Sequence, residues 1–254
     1  MPQRQWIRPS WFAIALTIAA VALFAALGVW QYGRMKEKRA MLEAVAAVVA
    51  DRKPVPLASA ANDAARARGY DWTQGFGTFA DIDPILLDEQ IRNGRVGVRV
   101  FRVFDMENPD GAAGGPLLVD LGWVAWPAHR VLPTLPALPS GRVDVRGLLA
   151  PAPAVGIPLG PGLEHKDHAW LATRINLREM APIVFHGAPN PIPAFAPRVL
   201  RLDPALPIGF ERDLQILPGA VPPERHLGYA VQWFAFALAA VAAFIAVHWR
   251  KVEK

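Results

Sequence analysis

The chain contains no cysteine, and its only serines are Ser10, Ser59 and Ser140. Without thiols it can form no disulfide bond, and it cannot ligate copper, zinc or an iron–sulfur cluster through thiolates. None of the serines lies in a Gly-x-Ser-x-Gly nucleophile elbow, and no glycine-rich loop followed by Lys and Ser or Thr is present to hold a phosphate. These absences argue against hydrolytic and nucleotide chemistry, and we expect that the protein is not an enzyme.

The chain is basic, with a formal net charge of +5 and a pI of about 9.9. Its lysines and arginines are scattered, and no long basic stripe is interleaved with aromatic residues. Nucleic-acid binding needs such an electrostatic footprint, so the pattern argues against it. Small basic clusters beside apolar runs favour contact with the anionic headgroups of a lipid bilayer.

Two long apolar runs without acidic or basic charges lie at opposite ends of the chain. Trp11–Trp30 contains twenty residues and Leu227–Trp249 contains twenty-three. At about 1.5 Å rise per residue, a helix of either length crosses a hydrocarbon core of roughly 30 Å. The first run exceeds the about 7–15 residues of a signal-peptide core, so we expect an uncleaved anchor, although Ala25-Ala26 leaves cleavage open.

The two runs predict a membrane hairpin with one extramembrane domain between its helices. The middle of the chain is long enough for one domain with its own core. The expected order is a tail at residues 1–10, a transmembrane helix at 11–30, a β-rich domain at 31–226 that opens with an amphipathic helix, a second transmembrane helix at 227–249, and a tail at 250–254.

The middle of the chain predicts a mainly antiparallel β domain, either a sheet or a small barrel. Eighteen of the 25 prolines lie between Pro127 and Pro223, which excludes a mostly helical structure there. Helical spacing of apolar residues predicts a helix over Gln31–Ala50, ended by Pro54. Apolar or alternating stretches predict strands at Trp72–Phe79, Ile85–Leu87, Val96–Phe104, Leu117–Trp126, Arg142–Leu149 and Ala194–Leu202.

The segments between these strands carry turn and loop signals. Asn108–Gly111 predicts a turn in an antiparallel hairpin with a long loop. Ala150–His168 is typical of an irregular proline-rich loop, and Asn176–Ala181 predicts one or two helical turns. In the strand at 96–104, Arg102 and Phe104 are out of step with the alternation of Val96, Val98 and Val100.

Two polar clusters in the middle of the chain have weak functional interpretations. His165-Lys166-Asp167-His168 could contribute metal ligands, but no third ligand is evident, so we favour a solvated loop. Asp81, Asp83, Asp88 and Glu89 could supply paired carboxylates, but such a run is more often an exposed strand edge or turn.

His226 lies where the second apolar run begins. An imidazole at a membrane boundary can bind haem iron axially, or it can lie at the headgroup level beside Arg225. His248, at the other end of the run, has the same two interpretations, and the headgroup one is stronger. Gln232 lies within the run, and an amide in lipid should find a partner on the facing helix.

Three blocks of residues, in order, resemble the surfeit locus protein family. The first run ends with Leu27–Gln31 and is followed by Arg34, the middle contains Leu118–Val124, and the second run begins with His226–Ala230 and continues with Gln232–Phe234. The two apolar runs around one domain extend this resemblance over the whole chain.

The resemblance implies an assembly factor, a chaperone for cytochrome c oxidase, that holds or hands over haem a for the catalytic subunit. It implies a multi-pass protein of the bacterial inner membrane with a periplasmic domain and cytoplasmic termini, and haem a synthesis proteins as further partners. His226 is then the candidate iron ligand. The other cofactor-binding positions that the resemblance implies are Trp30, Gln31, Arg34, Tyr229 and Trp233, and the Gly-Trp pair of the family's central strand falls on Gly122 and Trp123.

The chain departs from the family pattern at three places. Leu121 stands where an arginine commonly precedes the Gly-Trp pair, Glu224 and Arg225 stand where two asparagines are common, and Gly97–Val100 replaces a Gly-Tyr-His-Val string. Two alternative functions stay open: an interaction protein of the oxidase pathway that binds no haem, and an unrelated envelope protein whose β domain is a binding module.

The predicted topology can be tested with reporters fused after Ser140, in the middle of the expected periplasmic domain. Long domains translocate largely regardless of their charge, so alkaline phosphatase fused there should be active and green fluorescent protein should be dark. Fluorescence from the cytosol would contradict the predicted orientation.

Overall fold

The computed structural model describes residues 3–153, 162–187, 192–216 and 221–252. The chain divides into two compact units, one formed by Met1–Glu43 with Gly219–Lys254 and the other by Ala44–Pro218. The first unit is helical and the second is rich in β-structure, so two apolar helices flank a β-rich domain.

The helical unit is built from α1 (Trp11–Asp51) and α4 (Pro223–His248). Ser10 caps α1, since its Oγ accepts a hydrogen bond from the Ala13 amide at 3.1 Å. Pro223 stands in the first turn of α4, where a missing N–H costs nothing. Each helix contains an 18-residue stretch, with mean hydropathy of 2.5 in α1 and 2.2 in α4, of which only 6% is buried. Helices with apolar surfaces of this length are suited to a bilayer.

The two helices are antiparallel neighbours. Gln31 of α1 contacts His226 near the start of α4, and Phe24 stacks on Trp233 one to two turns further along it. Beyond the helices, the short strands β1 (Gln3–Trp6) and β11 (Trp249–Val252) pair antiparallel with each other. The two short strands therefore lie at the same end of the helix pair.

The second unit contains the C-terminal end of α1, two short helices and nine strands within the described residues. In chain order the elements after α1 are β2 (Val55–Pro56), α2 (Leu57–Asn62), β3 (Asp71–Phe79), β4 (Ile85–Arg92), β5 (Arg95–Glu107), β6 (Ala113–Ala125), β7 (Val143–Pro151), β8 (Leu163–Lys166), β9 (Ala169–Ala172), α3 (Leu177–Val184) and β10 (Arg198–Leu202).

Five of these strands close into a small barrel. The sheet order is β2-β3-β7-β10-β6-β5-β4-β9-β8, and β3 also pairs with β5. The strands β3, β7, β10, β6 and β5 therefore form a ring, while β4, β9 and β8 extend from β5. A closed ring removes the unpaired strand edges that an open sheet would expose.

All six predicted strands are present, with somewhat different bounds. The Asn108–Gly111 turn joins β5 and β6, which pair antiparallel as predicted, but the connection between them is short. Most pairings are antiparallel, whereas β10 with β6, β2 with β3, and β4 with β9 are parallel. The predicted helical turns at 176–181 are α3, which Asn176 caps through its side chain.

The prediction of an irregular loop over Ala150–His168 is wrong for part of that range. Residues 154–161 lie outside the described residues, but Leu163–Lys166 forms β8, which pairs antiparallel with β9. This edge strand is mostly exposed and polar, so it lacks the apolar alternation by which strands are recognised.

The barrel interior is apolar and tightly closed. Val98, Val100 and Phe104 of β5 all contribute to it and are fully buried, so Phe104 is in step with the valines after all. The other buried members are Leu57, Ala58, Ala61, Leu86, Met106, Leu117, Val119, Leu121, Val145, Leu149, Ala169, Ala196, Leu200 and Leu202. Phe101 and Val103 face the opposite side of β5, where they pack with α3 in a second cluster.

Asp203, just after β10, is a buried carboxylate that ties loops to the barrel. Arg146 Nε donates to its Oδ2 at 2.9 Å, the Ala205 amide donates to its Oδ1 at 3.0 Å, and Arg52 lies 3.7 Å away. Burial alone would raise the pKa of Asp203, but these hydrogen bonds and the two guanidinium groups outweigh burial and lower it. The charged form of Asp203 therefore stabilises the folded state.

We expect Asp203→Asn to lower the free energy of unfolding at pH 7 by about 1–3 kcal/mol, because the arginines lose an ionised acceptor. Since the folded pKa of Asp203 lies below the unfolded value of about 3.9, its contribution is complete above that value and is lost as the pH falls through the folded pKa. The difference between wild type and variant should therefore shrink below about pH 4, as measured by thermal unfolding of the full chain. Glu164→Gln, at an exposed carboxylate of β8, is the control and should show no such difference.

Candidate functional site

The candidate site lies between the two long helices, around His226. The Nδ1 atom of His226 is 2.7 Å from Oε1 of Gln31. Because an amide oxygen only accepts hydrogen bonds, Nδ1 carries a proton, and in the neutral ring Nε2 keeps its lone pair. Nε2 is buried and has no hydrogen-bond partner among the described residues. The pair thus presents a neutral imidazole nitrogen that is free to ligate a metal.

Local sequence explains why these two side chains meet. Gln31 directly follows the apolar run of α1, so its amide lies where the surface of the helix changes from apolar to polar. The start of α4 is held beside it by Lys38, whose Nζ donates to the carbonyl oxygen of Val221 at 2.6 Å. Pro223 is buried in the first turn of α4. This arrangement places His226 opposite Gln31.

Gly28 allows the helices to approach closely one turn before Gln31. A Cβ atom at this position would lie 2.7 Å from the ring of Phe234. Small residues at a helix–helix contact permit this distance, and larger ones push the helices apart. The spacing of α1 and α4, and with it the geometry of the histidine–glutamine pair, depends on the absence of a side chain here.

The aromatic residues of the predicted site have different surroundings. Trp233 stacks on Phe24 with ring centroids 5.8 Å apart, and it meets Phe236 edge-on at 5.7 Å. Trp30 and Tyr229 are about half exposed, at 57% and 46%. Trp233 therefore belongs to the contact between the helices, whereas Trp30 and Tyr229 present much of their surface outward.

Arg34 lies one turn beyond Trp30 on α1. Its guanidinium forms an ion pair with Glu37 at 2.8 Å, and its side chain is 48% exposed. Such an exposed pair is held weakly, so Arg34 can exchange Glu37 for another anion at little cost.

Sequence reasoning nominated Gln31 and His226 for the same site without predicting their contact, and it missed other members of the interface. Three phenylalanines pack between the helices, namely Phe24, Phe234 and Phe236. Lys38 also holds the start of α4 through its hydrogen bond to Val221. The phenylalanines lie in runs where nearly every residue is apolar, so the sequence does not distinguish a residue at the helix contact from one that faces lipid.

The expectation that Gln232 has a partner on the facing helix is wrong within the described residues. Its side chain is exposed and takes part in no hydrogen bond there. His248 differs from His226 as well, because its Nδ1 lies 2.7 Å from the carbonyl oxygen of Phe244 in the preceding turn. Its ring packs near Trp6, at 5.9 Å between centroids.

The polar clusters of the β-rich unit form no second centre. His165 pairs with Asp83 at 2.8 Å, and Asp88 accepts a hydrogen bond from the indole of Trp126 at 2.6 Å. Asp88 also pairs with Arg130 at 2.5 Å. Among the described residues, no group of three His, Cys, Asp or Glu side chains could hold a metal ion.

The Gly-Trp pair of the central strand has a structural role. Gly122 has a φ of +117°, a conformation that favours glycine, and a Cβ here would lie 2.8 Å from the carbonyl oxygen of Glu211. The backbone amide of Trp123 donates to the carbonyl oxygen of Glu211 at 2.8 Å, and its indole N–H donates to the carbonyl oxygen of Gln90 at 2.8 Å. The pair fixes the segment around residue 211 against β6.

The SURF1 family model matches residues 18–238, which include most of both long helices and the whole β-rich unit. The chain belongs to the SURF1 family. This confirms the resemblance that the three sequence blocks indicated. SURF1 proteins are known broadly as assembly factors for cytochrome oxidase, not as catalysts. No curated protein matches the chain.

The contact between the helices can be tested by cross-linking, since the chain has no native cysteine. We expect Gln31→Cys combined with His226→Cys to be joined by a short thiol-specific cross-linker, because the native side chains touch at 2.7 Å. Gln31→Cys combined with Ala246→Cys is the control pair. Residue 246 lies twenty residues further along α4, about 30 Å away along its axis. Equal cross-linking of both pairs, detected by mass spectrometry in isolated membranes, would contradict the interface.

Proposed function

We propose that this SURF1-family protein assists the delivery of haem a to the catalytic subunit of a haem–copper oxidase. The observation that carries the proposal is the histidine–glutamine pair, which leaves Nε2 of His226 buried and without a partner among the described residues. A buried polar atom without a partner costs free energy, so its retention favours a ligand. Histidine is a common axial ligand of haem iron.

The residues around His226 fit a haem group. Gln31 would keep the imidazole in the tautomer that ligates iron, as partners of metal-bound histidines generally do. Trp30 and Trp233 would supply flat apolar surface, with Tyr229 at the rim. Arg34, paired only weakly with Glu37, would bind a propionate. Bound haem would supply the iron, and the chain itself would hold, orient and shield it.

Nothing in this arrangement requires the protein to catalyse a reaction. Nε2 of His226 would be a single ligand, and Arg34 can exchange Glu37 for another anion, so the site is suited to holding a cofactor and then releasing it. The proposed partners are accordingly the oxidase catalytic subunit as acceptor and haem a synthesis proteins as donors.

We place the protein in the bacterial inner membrane, with α1 and α4 as spans, the β-rich unit in the periplasm and both termini in the cytoplasm. The exposed apolar surfaces of the two helices support the insertion. Their antiparallel arrangement supports termini on one side of the membrane.

The test is the absorption spectrum of the protein purified from cells that make haem a. We expect wild type to carry haem and His226→Ala to lose most of it, since the iron loses its ligand. His248→Ala, which removes the other histidine of α4, should keep the wild-type content. Gln31→Leu should keep part of the haem with a shifted spectrum, because the imidazole loses its orienting partner.

Two results would favour other functions. Wild-type protein that co-purifies with the oxidase catalytic subunit but never carries haem would favour an interaction protein of the same pathway. Oxidase activity and haem a content that are unchanged when the protein is deleted would exclude a role in oxidase assembly.

A further inference from the structure

A cavity of about 370 Å³ lies in the β-rich unit, between two strands of the barrel and two loops. Its volume is within the range of small-molecule sites, which is roughly 300–1,000 Å³. The strands β5 and β6 contribute Val100, Arg102 and Leu121, and the loops contribute residues 135–139 and 207–210.

The side chains that line the cavity are apolar, with the exception of Arg102. Val100 and Leu121 are fully buried members of the barrel core, and Leu135, Leu138 and Phe210 pack against that core from the loops. An apolar ligand placed here would remove surface from water on both sides of the contact, which is favourable.

Arg102 is the only charged residue among those that line the cavity. It lies on the same face of β5 as Val100 and Phe104, so its position would otherwise belong to the core. Its Nε is buried, and no hydrogen bond or ion pair joins the guanidinium to a described residue. Burial lowers the pKa of Arg102, while Asp83 and Asp81 act in the opposite direction through space.

The two aspartates do not neutralise this guanidinium by contact. Asp83 is instead bound to His165 at 2.8 Å, and Asp81 is exposed. The Nε–H donor of Arg102 is withdrawn from water without a partner, which costs free energy, and its terminal N–H donors have no bond to a described residue. An anion at the cavity would recover that cost through charge-assisted hydrogen bonds.

We propose that this cavity binds a small amphiphile with one anionic head, namely a medium-chain carboxylate. Its carboxylate contacts Arg102, and its alkyl chain packs against Leu121, Leu138 and Phe210. The site lies within the β-rich unit and does not depend on the proposed handling of haem.

An alkyl chain fits these walls better than a peptide does. A peptide would bring backbone N–H and C=O groups into the cavity, and each would need a partner there. Pro136, Pro139 and Pro207 are among the lining residues, and proline has no amide hydrogen to offer. Apart from Arg102, no lining side chain carries a hydrogen-bonding group.

The test is calorimetric titration of the full chain in lipid nanodiscs, with empty nanodiscs subtracted. We expect octanoate to bind at least about tenfold more tightly than octan-1-ol, which has a similar chain but no charge. Equal affinities would overturn the proposal. Octyl phosphate that binds more than about tenfold tighter than octanoate would overturn the choice of carboxylate, and a tetrapeptide with a free carboxylate that binds tighter than octanoate would overturn the choice of an alkyl chain.

Three variants locate the binding. Arg102→Gln should reduce octanoate affinity to that of octanol, whereas Arg95→Gln, at an exposed arginine of the same strand, should change neither. Ala137→Trp fills the cavity from an exposed loop position, so the barrel is not disturbed, and it should weaken octanoate and octanol alike. Octanoate binding that survives both Arg102→Gln and Ala137→Trp would show that it binds elsewhere.

Discussion

The pairing of β3 with β5 closes the sheet, and the rest of the β-rich unit depends on it. Gly77, Thr78 and Phe79 pair with Met106, Asp105 and Phe104, while the earlier part of β3 pairs with β7. At this seam Phe79 meets Phe104 edge-on, with ring centroids 5.1 Å apart. Because the ring is closed, side chains that alternate inward from five strands share one interior, and the core forms without a second sheet.

One buried cluster of charged residues lies on the outer face of the barrel. Asp120 is buried on the outer face of β6, with Arg99 at 3.3 Å and Arg201 at 3.4 Å. Burial lowers the pKa of Arg201, while Asp120 opposes that change. Buried ion pairs contribute little net stability, but removing one partner is costly because it leaves a buried charge unpaired.

The sequence was sufficient to predict the helices and most of the strands, but it did not predict the contacts of the candidate site. Long apolar runs and strand alternation identify both helices and six strands because these signals are local. The contact between Gln31 and His226 joins residues 195 positions apart, and no local signal specifies it. The resemblance to a family nominated both residues without saying that they touch. Leu163–Lys166 was missed because an exposed edge strand has no apolar face.

Arg102 could be noticed in the sequence, since it interrupts the alternation of β5. Only the fold shows that it lines a cavity. Arg198 is a useful contrast because it lies on the same face of β10 as Leu200 and is completely buried. Its Nη1 binds Asp71 at 2.6 Å, and its Nη2 binds the carbonyl oxygen of Ala60, so its charge has a partner inside the protein.

The two histidines of α4 also differ in their surroundings. Nδ1 of His248 bonds to the carbonyl oxygen of Phe244 in its own helix. Nδ1 of His226 bonds instead to Gln31 on the other helix. Nδ1 is bonded in both rings, but of the two histidines it is His226 whose Nε2 is buried without a partner among the described residues. Buried polar atoms without partners cost free energy, and a ligand would relieve that cost at Nε2 of His226 and at Nε of Arg102, a guanidinium whose charge, unlike that of Arg198, has no carboxylate in contact among the described residues.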